Sequence, residues 1–278
     1  MTEGKTTSVS NLAIEIFLFL VAIVILYPIY FLYAGSFKEP RIFYDPFAFP
    51  TGFYTDYYRI VFERVDVLSG FMNTLIVLVI SLIGIVLIGS LAGYAIARVK
   101  TWFFKFLYFF FLSGMIVPLQ ATMVTIFKMG VSMHLIDTRF FLTLLYMKGS
   151  IALTTFVYTG FMKSIPQEIE ESAYIDGAGP LQTFFRIVFP LLLPATGTIL
   201  ILYSTSIYND FFTPLIYLRN ADKLTLMPQI VQFYANKFDM NYGPVFAMSS
   251  MAVLPLIIAF IFAQKYMIRG LVSGSLKG

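Results

Sequence analysis

Cysteine is absent from this chain of 278 residues, and histidine and tryptophan occur once each. Without thiols there is no disulfide scaffold, no Cys-ligated metal or cluster and no thiol nucleophile. Charged residues make up only 12% of the chain, against about a quarter in soluble domains. The net charge of +4 is too small, and its cations too scattered, to suggest a nucleic-acid partner. The short signatures of chemistry are missing as well. There is no G-x-x-x-x-G-K-[ST], so the chain has no P-loop, and neither H-E-x-x-H nor G-x-S-x-G occurs. His134 falls in an expected loop and reads as an ordinary loop or interface residue. Few ionisable groups lie inside the apolar runs, which speaks against a carrier built on a carboxylate relay. No metal site, no cofactor and no enzymatic activity are expected of this chain.

What is present is hydrophobic length. Apolar residues make up 59% of the chain, with 31 Phe, 18 Tyr and 13 Met. Charged residues bracket six runs, 16–34, 71–97, 106–127, 140–162, 187–209 and 240–264. About 20 helical residues cross a hydrocarbon core of ~30 Å, so each run suffices. The expected fold is all-α and polytopic, one transmembrane domain over 1–278. Its spans are placed at about 12–36, 71–97, 104–127, 140–162, 190–217 and 244–266, with a polar connection at 163–190. The first run is of span length and lacks an A-x-A site, so it is expected to be a span and not a cleaved signal. Lys148 interrupts the fourth. A central Lys costs about 2.5–3.5 kcal/mol, and a dozen apolar residues returning about 0.3–0.6 each nearly balance it. Six spans place both termini on one side. The cationic connection 98–105 and the cationic tail favour the cytoplasm for that side.

Gly89, Gly93 and Ala97 form a small-residue stripe on the second span, which fits close helix packing against a neighbour in this chain or another. Tyr208, Asn209 and Asp210 close the fifth run. They suit either a solute path or a solvated helix end. In the outer connection 219–243, Phe233, Tyr234, Phe238 and Tyr242 sit among charges, as on a docking surface or on a segment resting at the lipid interface.

The connection 163–190 is unusually constrained. Ser164, Pro166 and Gln167 have the spacing of a helix start, with Ser164 as cap. Ile165, Ile169 and Ala173 form a narrow apolar stripe, leaving Glu168, Glu170 and Glu171 toward solvent. Asp176-Gly177 stops the helix, because Gly accepts the left-handed conformation. Pro180 opens a second helix with Leu181, Phe184, Phe185 and Val188 on one face, and Pro190 interrupts it. The result is a stiff elbow between two spans.

Glu171-Ser172-Ala173, Gly177 and then Ile187-Val188-Phe189-Pro190 match the E-A-A-x3-G-x9-I-x-L-P signature, with Ser for the middle Ala and Phe for Leu. The chain thus resembles ATP-binding-cassette importer permeases. "SIPQEIEESAYIDGAG" looks like the carbohydrate-importer form, "YNDFFTPLIYL" like that family's W-N-D-F-x-x-P-L segment, and "YMIRGLVSGSLKG" like the tail of the second permease in maltose and multiple-sugar systems. The resemblance implies a multi-pass permease subunit of the cell membrane that moves a carbohydrate, of di- or oligosaccharide size, into the cell. The partners it implies are a second homologous permease, two cytoplasmic ATPase subunits carrying ATP and Mg, and an extracytoplasmic sugar-binding protein. The elbow would be the coupling helix seated on the ATPase, through Glu170, Glu171, Ser172, Ala173, Asp176, Gly177, Ala178, Gly179 and Pro190. Phe233 and Tyr234 would meet the binding protein, and the tail 269–278 would reach the ATPase pair. A permease for another solute class and half of a secondary carrier are the alternatives.

Overall fold

The computed structural model describes residues 9–45, 48–235 and 242–275. In chain order its helices are α1 (Val9–Phe37), α2 (Asp56–Arg64), α3 (Val67–Arg98), α4 (Trp102–Ser113), α5 (Leu119–Ser132), α6 (Arg139–Lys163) and α7 (Glu168–Ile175). They continue as α8 (Pro180–Thr183), a π-helical turn (Phe184–Val188), α9 (Phe189–Leu191), α10 (Leu193–Asn209), α11 (Phe212–Tyr217), α12 (Leu226–Ala235) and α13 (Gly243–Ser275). No strand occurs among the described residues.

Among the described residues, four helices are long and apolar enough to cross a membrane: Asn11–Phe37, Val67–Arg98, Arg139–Lys163 and Gly243–Phe262. The pair Pro180–Leu191 and Leu193–Asn209, bent by 74°, makes a fifth crossing if counted as one. The expected third span at 104–127 is not one helix but two, α4 and α5. Pro118 explains the break: it lacks an amide N–H and disfavours helical geometry at Val117, so the chain leaves the helix near Gly114. At 1.5 Å per residue, the twelve residues of α4 fall well short of a ~30 Å core. The fifth expected span, 190–217, likewise stops at Asn209 and resumes as α11.

The chain divides into two compact units. In the first, Met1–Val65 with Gln232–Ile257, the Tyr58 hydroxyl joins Ser36 (2.8 Å) and Ser250 (3.0 Å), and Tyr33 donates to the Ser250 carbonyl. Lys38, just past the end of α1, is buried here. Its ammonium donates to the Asp45 carbonyl at 2.8 Å and lies 5.6 Å from the Phe31 ring centre.

The second unit, Asp66–Val231 with Ile258–Gly278, holds the polar elbow. Its centre is the pairing of α3 with α6. A β-carbon on Gly89 would stand 2.7 Å from Thr154, and one on Gly93 2.6 Å from Tyr158 Cβ. The small-residue stripe therefore has its neighbour within the chain. The core around this seam includes Val77, Ile85, Leu142, Tyr158, Met162 and Phe184. At one end of the bundle Asp137 ties the connection between α5 and α6 to the segment that follows α11. Its Oδ1 accepts the backbone N–H groups of Arg219 (2.9 Å) and Asn220 (3.0 Å), and its Oδ2 pairs with Lys223 Nζ at 2.8 Å. Asn73 of α3 donates to the Asp222 and Leu224 carbonyls, and Thr74 accepts from the Leu226 N–H.

Candidate functional site

The elbow begins one turn later than the capping pattern suggests. α6 runs to Lys163, so Ser164 closes that helix, and its hydroxyl donates to the Phe161 carbonyl at 2.7 Å. α7 then starts at Glu168, with Gln167 at its N-cap and no side-chain cap. Three acids, Glu168, Glu170 and Glu171, occupy its first turn, where the positive end of the helix dipole favours them.

The stop signal is as the sequence reads it. Gly177 has φ +84°; its N–H donates to the Tyr174 carbonyl (3.1 Å), and the Ala178 N–H donates to the Ala173 carbonyl (2.9 Å). This pair of bonds closes the Schellman arrangement and fixes the exit angle. Gly179 then leads to Pro180, whose ring suits the first position of α8.

Two expectations about the faces of the elbow are overturned. Ile169 is exposed, while Ala173 is buried, so the apolar stripe turns only partly inward. Glu170, expected in solvent with its neighbours, is buried. Its Oε1 accepts from Arg98 Nε at 2.7 Å and lies 2.6 Å from Arg98 Nη2, and its Oε2 accepts from the Tyr94 hydroxyl at 2.9 Å. The reason is geometric: the end of α3 brings Arg98 beneath the first turn of α7, and a carboxylate there neutralises a cation that would otherwise be buried alone. Glu168, Glu171, Ser172 and Asp176 remain exposed, beside Ile175 (86% exposed) and Leu181 (68% exposed).

Beyond α8 the backbone widens into a π turn, in which the Phe189 N–H reaches the Phe184 carbonyl. Five-residue closure shifts the face that regular spacing assigns. Phe184 and Val188 are buried, whereas Leu181 and Phe185 are exposed. Pro190 follows in α9, and the 74° bend falls at Leu192.

A second feature is a cavity of about 190 Å³, lined by Leu145, Tyr146, Lys148, Tyr203, Ser206 and Asp210 among others. Of the three residues that close the fifth run, only Asp210 lines it. Tyr208 is buried elsewhere, and the Asn209 amide donates back to the Thr205 carbonyl of its own helix. Asp210 Oδ2 accepts from the Tyr146 hydroxyl (3.0 Å), while Oδ1 accepts the N–H groups of Phe212 and Thr213 and so caps α11. Lys148 is exposed, and among the described residues it makes no hydrogen bond or ion pair. Spacing alone does not reveal that Tyr146 and Lys148 share a cavity with Asp210, because α6 and α10 meet only in the fold.

On α12, Tyr234 is exposed and stacks on Tyr242, with ring centres 5.9 Å apart. Phe233 is partly buried. Phe238 and residues 276–278 of the tail lie outside the described residues, and the tail backbone as far as Ser275 continues α13.

The described residues are helical, with several helices of membrane length and apolar character, as in a polytopic membrane protein. Residues 85–272 match the family described as binding-protein-dependent transport system inner membrane component, and the chain belongs to that family. It is a multi-pass transport subunit of the cell membrane. Among curated relatives, it is 35% identical over 252 residues to a melibiose/raffinose/stachyose import permease protein of Bacillus subtilis, covering 90% of this chain and 91% of that one. It is 32% identical over 260 residues to a multiple sugar-binding transport system permease protein of Streptococcus mutans, covering 92% and 93%. Among solved structures, it resembles a chain of a bacterial ABC transporter involved in the import of the acidic polysaccharide alginate. That match has a TM-score of 0.77 and 22% identity, and covers 96% of this chain and 99% of that one.

Proposed function

We propose that this chain is one of two permease subunits of an ATP-binding-cassette importer that carries a di- or oligosaccharide into the cell. ATP and Mg are held by a separate pair of ATPase subunits, and solute is delivered by an extracytoplasmic sugar-binding protein. Both termini lie in the cytoplasm, with the elbow on that side. The observation that carries the reading is the elbow itself. Its exit is fixed by Gly177, and it presents Glu171, Ser172, Asp176, Ile175 and Leu181 outward. An exposed apolar pair rimmed by acids suits a cleft on another protein, because burial there removes Ile175 and Leu181 from water while the acids meet basic groups. Names of relatives at 35% and 32% identity support a sugar as the solute.

The cavity lined by Lys148, Asp210, Tyr146 and Tyr203 is read as part of the solute path. A sugar offers hydroxyls to the ammonium and carboxylate, and C–H faces to the rings. α1 is exposed along nearly all its apolar length, which fits contact with lipid and with the second permease. No bond in the solute is made or broken. ATP-driven movement of the elbow tilts the bundle between states open to either side.

The test is uptake of a panel of labelled sugars by the complex reconstituted in proteoliposomes with its ATPase and binding protein. ATP-dependent accumulation of a di- or oligosaccharide is expected. Uptake that ignores ATP and collapses with the proton or sodium gradient would replace this reading with a secondary carrier.

A further inference from the structure

We propose that Glu170 is a positioning residue that locks the elbow to the end of α3, so that the two move as one body when the partner ATPase drives the elbow. This rests on the importer reading above. Both oxygens of the Glu170 carboxylate are engaged within the chain, by Arg98 Nε, Arg98 Nη2 and the Tyr94 hydroxyl. Arg98 Nη2 also donates to the Ile165 carbonyl at 3.0 Å, which holds the segment between α6 and α7. The Tyr94 and Tyr174 hydroxyls lie 3.2 Å apart, a further tie from α3 to α7. The side chains of Arg98 and Glu170 are 12% and 6% exposed. So enclosed a carboxylate has little left to offer a basic group on another subunit, which separates it from its exposed neighbours Glu168 and Glu171.

The location makes the lock useful. Along the chain, the route from the elbow into α10 passes the π turn at Phe184–Val188 and the 74° bend at Leu192. These are the kinds of place where helices yield. The Arg98–Glu170 pair bypasses them and joins the elbow directly to α3. From there the close approach of Gly89 and Gly93 to Thr154 and Tyr158 carries the movement into α6. Force on the elbow thus reaches two crossing helices through side chains, as well as through the backbone.

The chain has no cysteine, so labels can be placed singly. Lys100→Cys and Gln167→Cys put spin labels on exposed positions just past the end of α3 and at the start of the elbow, away from the face offered to the ATPase. In the assembled complex, the distance between the labels is expected to stay the same with and without trapped ATP. A shift of the distance between nucleotide states would show that elbow and α3 part, and would overturn the proposal. Glu170→Ala is then expected to make the distance nucleotide-dependent and to lower sugar imported per ATP hydrolysed on the order of tenfold, while ATP hydrolysis persists. A purely structural residue would instead lower uptake and hydrolysis together. If Glu170→Ala fails to assemble, the double variant Arg98→Met/Glu170→Met, which leaves no unpaired charge, carries the same test. An unchanged ratio in that variant overturns the lock. Failure of the importer reading looks different: the wild-type complex would accumulate no sugar, whatever the label distances.

Discussion

Gly93 of α3 faces Tyr158 of α6 so closely that a β-carbon there would stand 2.6 Å from Tyr158 Cβ and 3.0 Å from the Thr159 amide nitrogen. A neighbouring backbone cannot rotate away as a side-chain tip can. Gly93→Ala must therefore spread the seam, at about 1–3 kcal/mol for overpacking. Gly160, on the same α6, has open space around its α-carbon. There Ala should be neutral or stabilising by up to about 1 kcal/mol, because it removes the entropy cost of a helical Gly. Thermal unfolding of the detergent-solubilised permease compares the two, and equal melting temperatures would refute the tight-seam account.

Gly177→Val tests the elbow. At φ +84° a β-branched residue meets a penalty of about 1–2 kcal/mol, and relief requires a different exit angle. The bundle should still insert, since Gly177 lies outside the membrane-length helices. Transport should be lost and the ATPase bound weakly. Gly177→Asn, which tolerates the left-handed region better, should show a milder defect. Normal sugar uptake by the Val variant would remove the elbow from the coupling route.

The sequence makes some of this legible and hides the rest, for physical reasons. Gly177 announces its role because a left-handed position and a helix stop are local events, readable from Asp176-Gly177 alone. The stripe of Gly89, Gly93 and Ala97 announces close packing but not the partner, which needs α6 to be placed. Burial of Glu170 is invisible to spacing. Three acids in one turn look alike until α3 brings Arg98 to one of them, 72 residues away in the chain. Pro118 marks a break through its missing N–H, but it sits in the uncharged run 106–127, whose length reads as one span. A π turn has no spelling of its own, so the face of Leu181 and Phe185 comes out reversed.

Asp137 should make stability depend on pH only under acid conditions. The backbone N–H of Asn220 and the Lys223 ammonium hold its carboxyl at about 2, below the usual 3.8. A lowered folded-state value means the stabilisation is present above the unfolded value and is lost as pH falls through the folded one. Asp137→Ala should therefore melt below wild type by a constant margin from about pH 8 to about pH 5, and the margin should shrink below about pH 4. A margin that instead grows on acidification would contradict the assigned contacts.

Tyr234, exposed on α12, and its neighbour Phe233 are the proposed contact for the binding protein. Replacing both with Ala should weaken the stimulation of ATP hydrolysis by loaded binding protein and leave basal hydrolysis intact. Undiminished stimulation would assign these rings to the lipid interface.

Lys148 is the most exposed test of the solute path. It lines the cavity with Asp210 and Tyr146, and has no partner among the described residues. Asp210 itself is a poor probe, because it caps α11 through the Phe212 and Thr213 amides, and its loss would disturb that helix. Lys148→Met keeps the length of the chain and its apolar stem while deleting the donor. If the ammonium holds a sugar hydroxyl during passage, removing it should cost about 1.5–3 kcal/mol, the range for hydrogen bonds to charged groups. That corresponds to roughly a tenfold or greater fall in uptake at limiting sugar. Hydrolysis stimulated by the binding protein should persist, since the elbow is untouched. Asn209→Ala serves as the control: its amide is turned back to Thr205 and away from the cavity, so uptake should hold near wild type. A Lys148→Met complex with undiminished uptake would move the solute path away from this cavity and leave Lys148 to pair with the second permease.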